Sequence, residues 1–313
     1  MTAVARVGVT VREARDDDDL DALNVGNPMW FGQEQHRRTA SVARPGSVMA
    51  LVGELDGTPV GWGFGIGAAV AVGGYGVASV WVPTDQRRRG LGGALLARVE
   101  EFVRGAGRPG VLVAVPDTEP DGLAVARHLG LDERGHHIES VLDLTVFDDS
   151  VVDVAVSRLA TAGIELVTVA PDADEAAWQR VYTLFAARIK ESPDTSDGGG
   201  EMPYAIFRSF LDEPWQVLLA ECDGEPIGLT CMMVRHDAPH RLNTLFTGVR
   251  ADKRGQGIAA SLKLEHARRV RVAGWREIWT QNMDQNAAIL AVNARLGYRP
   301  VDGYRDMGRA YLP

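Results

Sequence analysis

Two stretches of this sequence join arginine, glycine and the start of a helix. The first reads Arg87-Arg88-Arg89-Gly90-Leu91-Gly92, and the second reads Arg254-Gly255-Gln256-Gly257-Ile258-Ala259. Each follows a strand-like run that passes through a valine, Val82 or Val249, and each opens an amphipathic run. The chemistry this suits is anion binding. Glycines let backbone N–H groups approach a ligand with no Cβ in the way. A helix N-terminus adds about half a positive charge and unpaired N–H donors. Arginines add charge-assisted hydrogen bonds to phosphate oxygens. The nucleoside-triphosphate loop GxxxxGK[ST] is absent, and so is a GxGxxG followed by a ribose-reading acid.

The elements around the two motifs repeat. A shift of 167 residues lays VPTDQRRRGLGGALLARVE from Val82 onto VRADKRGQGIAASLKLEHA from Val249. The same ungapped register aligns Ala106-Gly107 with Ala273-Gly274 and Leu129-Gly130 with Leu296-Gly297. Helix periodicity could produce the leucine matches but not the glycines. The chain therefore reads as a tandem duplication. Copy one shows strands at Met49 to Glu54 and Val60 to Ile66, joined by Asp56-Gly57. A strand follows at Val77 to Val82, after a Gly73-Gly74 turn. A helix covers Gly90 to Val103, a buried strand Val111 to Val115, and a helix Asp121 to Leu129. The acidic run DDDDLDALNV starts a helix near the N-terminus. Copy two repeats the pattern, with Asp223-Gly224 in place of Asp56-Gly57. The expected domains are residues 1–147 and 163–313. The linker, 148–162, carries Val152, Val156 and Leu159 at helical spacing. The order of elements predicts an α/β (mixed α+β) fold, with helices on both faces of a sheet in each copy.

Length and composition agree with two globular domains. There are 313 residues, 45% of them hydrophobic and 24% charged. The net charge of −9 disfavours a nucleic-acid binder, which needs a surplus of cations along phosphates. Between Asp56 and Asp85 no residue is charged, long enough to span a bilayer. Trp62, Phe64 and Ile66 alternate there with glycines, which is the period of a strand. No secretory leader opens the sequence, and a cytoplasmic chain with no membrane partner is expected. Cys222 and Cys231 read as small apolar residues. His136-His137 and His236/His240 lack a third ligand at useful spacing, so they read as exposed hairpin residues and no metal is expected.

The paired motifs resemble those of the GNAT superfamily of N-acetyltransferases, whose signature is [Q/R]-x-x-G-x-[G/A] between a central strand and helix. The resemblance covers nearly the whole chain. It implies two tandem GNAT domains, each with a central mixed, mostly antiparallel β-sheet flanked by helices. It implies that acetyl-CoA is the co-substrate, with its pyrophosphate on the glycine-opened helix. The motif strand splays from the next parallel strand, and the pantetheine arm pairs with exposed backbone near Val80 to Val82 and Phe246 to Val249. Residues implied for the coenzyme are therefore Val82, Arg87, Arg88, Arg89, Gly90, Leu91 and Gly92 in copy one. In copy two they are Val249, Arg254, Gly255, Gln256, Gly257, Ile258 and Ala259. An amine then attacks the thioester directly, without metal.

The copies differ around the reaction centre. Copy two has Asn282, Asn286 and Asn293 where copy one has Val115, Glu119 and Ala126, and Thr247 where copy one has Val80. TQNMDQNAAILAVNARLGYRP resembles a GNAT subgroup, T-x-N-x-x-x-N-x-x-x-x-x-x-N-x-x-L-G-[FY]. Asn282 is placed facing the coenzyme or substrate. Asn286 is either a helix cap or a coenzyme contact. Many members carry a tyrosine acid where this chain has Asn293, and Tyr298 stands where the family has a core Phe; Asn282, Asn293, Tyr298 and Glu191 are the catalytic candidates. Candidate bases are Glu191, Asp194, Asp197 and Glu201, in the stretch that forms the acceptor wall in relatives. Trp30, Phe31, Tyr204 and Trp215 line acceptor pockets or pack in the core. Copy two is expected to carry the chemistry. The acceptor is expected to be a primary amine on a small molecule. The alternatives are a peptide or protein amine, and a non-catalytic acyl-CoA sensor. The motifs single out no narrower member of the family.

Overall fold

The structure is a computed structural model that describes residues 8–27, 29, 32–68, 74–192 and 202–311. Gly73, Trp30, Phe31, Asp194, Asp197 and Glu201 lie outside the described residues. The chain forms two compact units, and these do not follow the repeats. Among the described residues, the first unit comprises those up to Gly135 together with Arg305 onward. The second runs from His136 to Tyr304.

The first repeat contributes β1 (Val9–Glu13), α1 (Leu20–Leu23), α2 (Gln33–Val42), β2 (Val48–Leu55), β3 (Thr58–Ile66) and β4 (Gly76–Trp81). It continues with α3 (Leu91–Gly105), β5 (Gly110–Pro116), α4 (Pro120–His128) and β6 (Asp132–Asp143). The former linker is α5 (Ser150–Thr161). The second repeat gives β7 (Ile164–Thr168), α6 (Glu175–Ile189), α7 (Tyr204–Ser209), β8 (Val217–Cys222), β9 (Glu225–Val234) and β10 (Arg241–Val249). Then come α8 (Ile258–Val272), β11 (Glu277–Met283), α9 (Ala287–Arg295) and β12 (Arg299–Ala310).

In the first unit the strands run β1-β2-β3-β4-β5, and the C-terminal half of β12 adds the next strand. β1 to β4 are antiparallel and β4–β5 is parallel. Met307 of β12 is fully buried in a core with Leu51, Leu95, Val99 and Val111. Arg309 donates to the Leu129 carbonyl at 2.7 Å and pairs with Glu100. The acidic run forms a shorter helix than expected. Asp19 caps α1 by accepting from the Ala22 N–H, but Gly26 at φ 80° turns the chain soon afterwards. Asp18 is drawn to Arg12 instead.

In the second unit the order is β7-β8-β9-β10-β11, followed by β6 of the first repeat and then the first half of β12. Seven residues pair antiparallel, from Glu277 with Asp143 to Met283 with His137. α5 packs on α8, burying Val152 fully and Leu159 almost so. His137 is buried and stacks on Tyr304, with centroids 4.5 Å apart. The exposed-hairpin reading therefore fails for this histidine, because β6 is an interior strand of the unit. His236 and His240 are exposed between β9 and β10.

Both Asp-Gly hairpins form as the sequence indicates. Asp56-Gly57 and Asp223-Gly224 all have positive φ, as a type I′ turn requires. A bulge follows at the same repeat position in each, Gly53/Glu54 and Ala220/Glu221.

The inner face of α8 departs from that of α3. Ser261, Lys263 and His266 are buried where α3 has Ala94, Leu96 and Val99. His266 Nε2 donates to the Trp215 carbonyl at 2.6 Å, since the carbonyl can only accept. Burial, with Arg269 and Lys263 nearby, lowers its pKa to about 4. The unfolded chain therefore binds a proton near pH 6.5 that the folded chain refuses until about pH 4. Stability is full above pH 6.5 and falls towards pH 4, by up to about 3 kcal/mol from this residue. Urea unfolding at pH 7.5 and pH 4.5 checks this. His266→Val, which copies Val99, is expected to flatten the difference between the two pH values.

Candidate active site

Each motif strand begins paired in parallel with its neighbour and then parts from it. β10 pairs with β11 only over Arg241 to Asn243, and β4 pairs with β5 only over Gly76 to Ala78. From Thr244 and Ser79 onward the facing edges have no strand partner, so backbone N–H and C=O groups are left for a ligand. The two strands differ in one respect. The β10–β9 ladder slips between Thr244 and Phe246, with Leu245 the extra residue. The β3–β4 ladder runs without a slip. A bulge re-aims the backbone at the point where β10 and β11 diverge.

After each strand a short 3-10 turn leads to the helix. Gly257 and Gly90 cap α8 and α3 with φ of 82° and 87°, in the left-handed region. Gly255 has φ 77°, and its repeat counterpart Arg88 has φ 66°. The same backbone shape is thus kept in copy one with a side chain in place, at a strain of roughly 1–2 kcal/mol. The arginines also match. Arg254 Nε donates to the Val249 carbonyl at 3.2 Å, and Arg87 Nε to the Val82 carbonyl at 2.9 Å.

In the second unit these residues line a cleft of ≈ 770 Å³ between α8 and α9. Val249, Arg254, Gly255, Gly257, Ile258 and Ala259 are on its wall, as are Glu191, Asn282 and Asn286. Gln256 faces away, towards a groove beside α5. In the first unit the corresponding cleft is ≈ 310 Å³ and is lined by Val82, Arg87, Arg88, Gly90, Leu91 and Gly92. Arg89 is exposed outside it.

The clefts differ in charge. In the first unit Glu119 lies on the wall and holds Arg87 at 2.8 Å. Asn286 is its neutral counterpart in the second, where it caps α9 by accepting from the Ile289 N–H at 3.4 Å. Glu191 accepts from Arg254 at 2.7 Å and from Arg188 at 2.8 Å. Its carboxylate is therefore engaged at the arginine of the cradle. Asn293 is buried behind the wall, and its Nδ2 donates to Asn282 Oδ1 at 3.0 Å. Tyr298 is 4% exposed and belongs to the core with Leu142 and Ile278, so it is not on the cleft wall. Burial holds its phenol far above the ordinary range, with only the Thr244 hydroxyl opposing. Trp215 packs against Trp275 in the core, and Tyr204 against Tyr182 with its hydroxyl towards Glu175.

Two groups of functional interest escaped the sequence reading. Lys263 lines the cleft at 3% exposure. Setting it against Leu96 in the repeat was the available signal. The other group lies on the opposite face of the sheet, where strand alternation puts Arg241 and Asn243 with Trp279 and Glu139. The Arg241 guanidinium stacks on Trp279 at 3.7 Å, donates to Asn243 Oδ1 at 3.1 Å and lies 3.6 Å from Glu139. Burial raises the pKa of Glu139, with Arg241 and Arg235 opposing. Burial and the Arg235 charge lower Arg241 to about 10. Glu139 sits on β6, in the first repeat, so no inspection of the second repeat alone could find it.

Among the described residues no group of three or more His, Cys, Asp or Glu is placed to hold a metal ion. No helix among them is long and apolar enough to cross a membrane.

Residues 15–130 match the profile of the Acetyltransferase (GNAT) family. A mycothiol acetyltransferase of Kineococcus radiotolerans is 32% identical over 234 residues, covering 73% of this chain and 71% of that protein. Motifs alone did not single out that relative. Among solved structures, a tandem GNAT protein from the clavulanic acid biosynthesis pathway superimposes with a TM-score of 0.71 at 22% identity. The match covers 98% of this chain and 99% of that one. A GCN5-related glucosamine N-acetyltransferase region of a fungal multi-domain GH3 β-N-acetylglucosaminidase gives 0.73 at 15% identity. It covers 99% of this chain, but the chain spans only 39% of that protein. The splayed, glycine-capped sheet of each repeat, the family profile and a relative at 32% identity agree, and the chain belongs to the GNAT acetyltransferase family.

Proposed function

We propose that the chain transfers acetyl from acetyl-CoA to a primary amine on a small molecule, and that the second unit carries the chemistry. The observation that carries the assignment to that unit is the bulge at Leu245, where β10 parts from β11. There a backbone N–H can meet the thioester oxygen as charge develops on it. The larger cleft, with neutral Asn286 instead of Glu119, supports the same assignment. Both cradle arginines carry a carboxylate, Glu119 on Arg87 and Glu191 on Arg254, but a diphosphate entering the second cleft would meet five cations and one carboxylate on its wall, against two of each in the first. On this reading the first unit scaffolds. The name of the Kineococcus radiotolerans relative supports a small-molecule acceptor.

The amine must lose a proton as it attacks. It enters from the face that carries Glu139, opposite the coenzyme cleft. Glu139 suits the base better than Glu191, which two arginines already hold. The test is release of coenzyme A, followed with a thiol reagent, over a panel of amines that includes glucosamine and amino acids. Turnover with one or more of them is expected. Tight acetyl-CoA binding with no release for any amine would make the chain an acyl-CoA sensor instead.

A further inference from the structure

The chain has only three lysines against thirty arginines: Lys190, Lys253 and Lys263. Lys253 and Lys263 both line the cleft of the second unit. Lys263 is unlike the arginines around it. It is 3% exposed, and among the described residues no carboxylate is paired with it. Its Nζ stands over the face of Tyr298, 4.8 Å from the ring centroid. Isolated ammonium groups are rarely buried, because nothing replaces the lost hydration. The repeat removes the need for a lysine as packing, since Leu96 fills this place in α3. The charge therefore serves something that enters the cleft.

Its position indicates what that is. Lys263 lines the same cleft as Thr244, the residue where β10 parts from β11. It sits six residues along α8 from the cradle glycine. A thioester held by the cradle, with its arm along β10, brings its sulfur towards the point where the strands part. Asn293 and its partner Asn282 cannot donate a proton to a thiolate as an acid does.

We infer that Lys263 is the proton donor to the departing coenzyme thiolate, which rests on the acetyl-CoA reading above. The amine nitrogen attacks the thioester carbonyl carbon, and the C–N bond forms. The C–S bond then breaks with its electron pair on sulfur, and the Lys263 ammonium supplies the proton that makes the free thiol. The attacking nitrogen sheds its proton to the base or to water, and the Lys263 amine regains one from solvent. Burial supports the exchange, lowering Lys263 to about 8, close to a free thiol at about 8.5. Proton transfer is efficient when the two affinities match.

Other charged groups nearby titrate elsewhere or are held. Tyr298 is raised well above 10 and His266 is lowered to about 4. Glu265, on the same helix, is bound by Arg268 and Arg269. Glu191 is bound by Arg188 and Arg254, and Lys253 and Arg295 also line the cleft. A limb near pH 8 that is lost when Lys263 is substituted reports Lys263.

The experiment measures thiol release, with the fastest amine of the panel, from pH 6.5 to 9.5 in the unaltered chain, Lys263→Leu and Lys263→Met. The expected loss in kcat at pH 7 is about 100-fold or more. The fall of kcat above pH 8 is expected to disappear in both variants, while calorimetric uptake of acetyl-CoA stays within about threefold. Variants that keep kcat within threefold and retain the alkaline limb overturn the proposal. Failure of the unaltered chain to take up acetyl-CoA instead overturns the parent reading. A readout free of any acceptor is the NMR spectrum of a chain labelled with ¹³C-lysine, which has three ε-CH₂ signals. One is expected to titrate near pH 8 and to shift on adding coenzyme A. Three signals that all titrate above pH 9.5 and ignore the coenzyme overturn the proposal even if the variants do not fold.

Discussion

Arg254→Ala combined with Gly257→Val is expected to abolish turnover and to weaken acetyl-CoA uptake by about 100-fold or more. Losing a charge-assisted hydrogen bond to a phosphate costs roughly 1.5–3 kcal/mol. Forcing valine to the φ of 82° at Gly257 adds roughly 1–2 kcal/mol and moves the first N–H groups of α8. Tenfold in affinity is about 1.4 kcal/mol, so two decades or more follow. No atom within 4 Å crowds a Cβ at Gly257, so the penalty is one of backbone conformation and not of packing. The fold is expected to survive. The matching pair in the first unit, Arg87→Ala with Gly90→Val, is expected to leave turnover within about threefold. It removes an arginine from the smaller cleft, ≈ 310 Å³, whose wall holds as many carboxylates as cations. Isothermal calorimetry and thiol release on both proteins, with melting curves as the control for folding, decide the matter. If only the copy-one pair stops turnover, the division of labour is the reverse.

The sequence revealed the repeat units well and their assembly poorly. Local chemistry explains the first half of that. Asp-Gly needs positive φ and so announced both hairpins, and glycine at the start of α3 and α8 announced both cradles. Period-two glycine and aromatic residues announced β3 as a strand. The exchange of end strands left no such trace. β6 has similar burial demands whichever sheet receives it, and β12 is equally suited to closing its own repeat. What decides is long-range: Met307 fits the first core, and Leu142 and Leu144 fit the second. Asn282 was legible as a cleft residue because it departs from Val115 at a strand end. Tyr298 was less so, since its role as a platform depends on Lys263 one helix away. Lys263 itself was visible as a departure from Leu96, but a lysine on a helix reads as a surface residue until the packing of that face is known.

The exchange has a direct consequence for any attempt to separate the repeats. A fragment of residues 163–313 begins where the second repeat begins, yet it is expected not to fold. It lacks β6, which pairs with β11 over seven residues, and leaves that edge open. It also lacks Leu142, Leu144, Phe147, Val152 and Leu159, all buried in the second unit. At roughly 1.5–3 kcal/mol for each large apolar side chain, their loss approaches about 10 kcal/mol, comparable to the whole stability of a domain. It would meanwhile carry residues 305–311, whose buried Met307 and ion-paired Arg309 belong to the first unit. A fragment of residues 136–304 keeps β6 and α5 and drops that segment. It is expected to give a cooperative melt by circular dichroism and a compact monomer-sized peak on gel filtration, and the 163–313 fragment to give neither. A cooperative melt of residues 163–313 within a few degrees of the 136–304 fragment would mean that the second repeat closes its own sheet. β6 would then be dispensable, and Glu139 would lose its claim to the amine face.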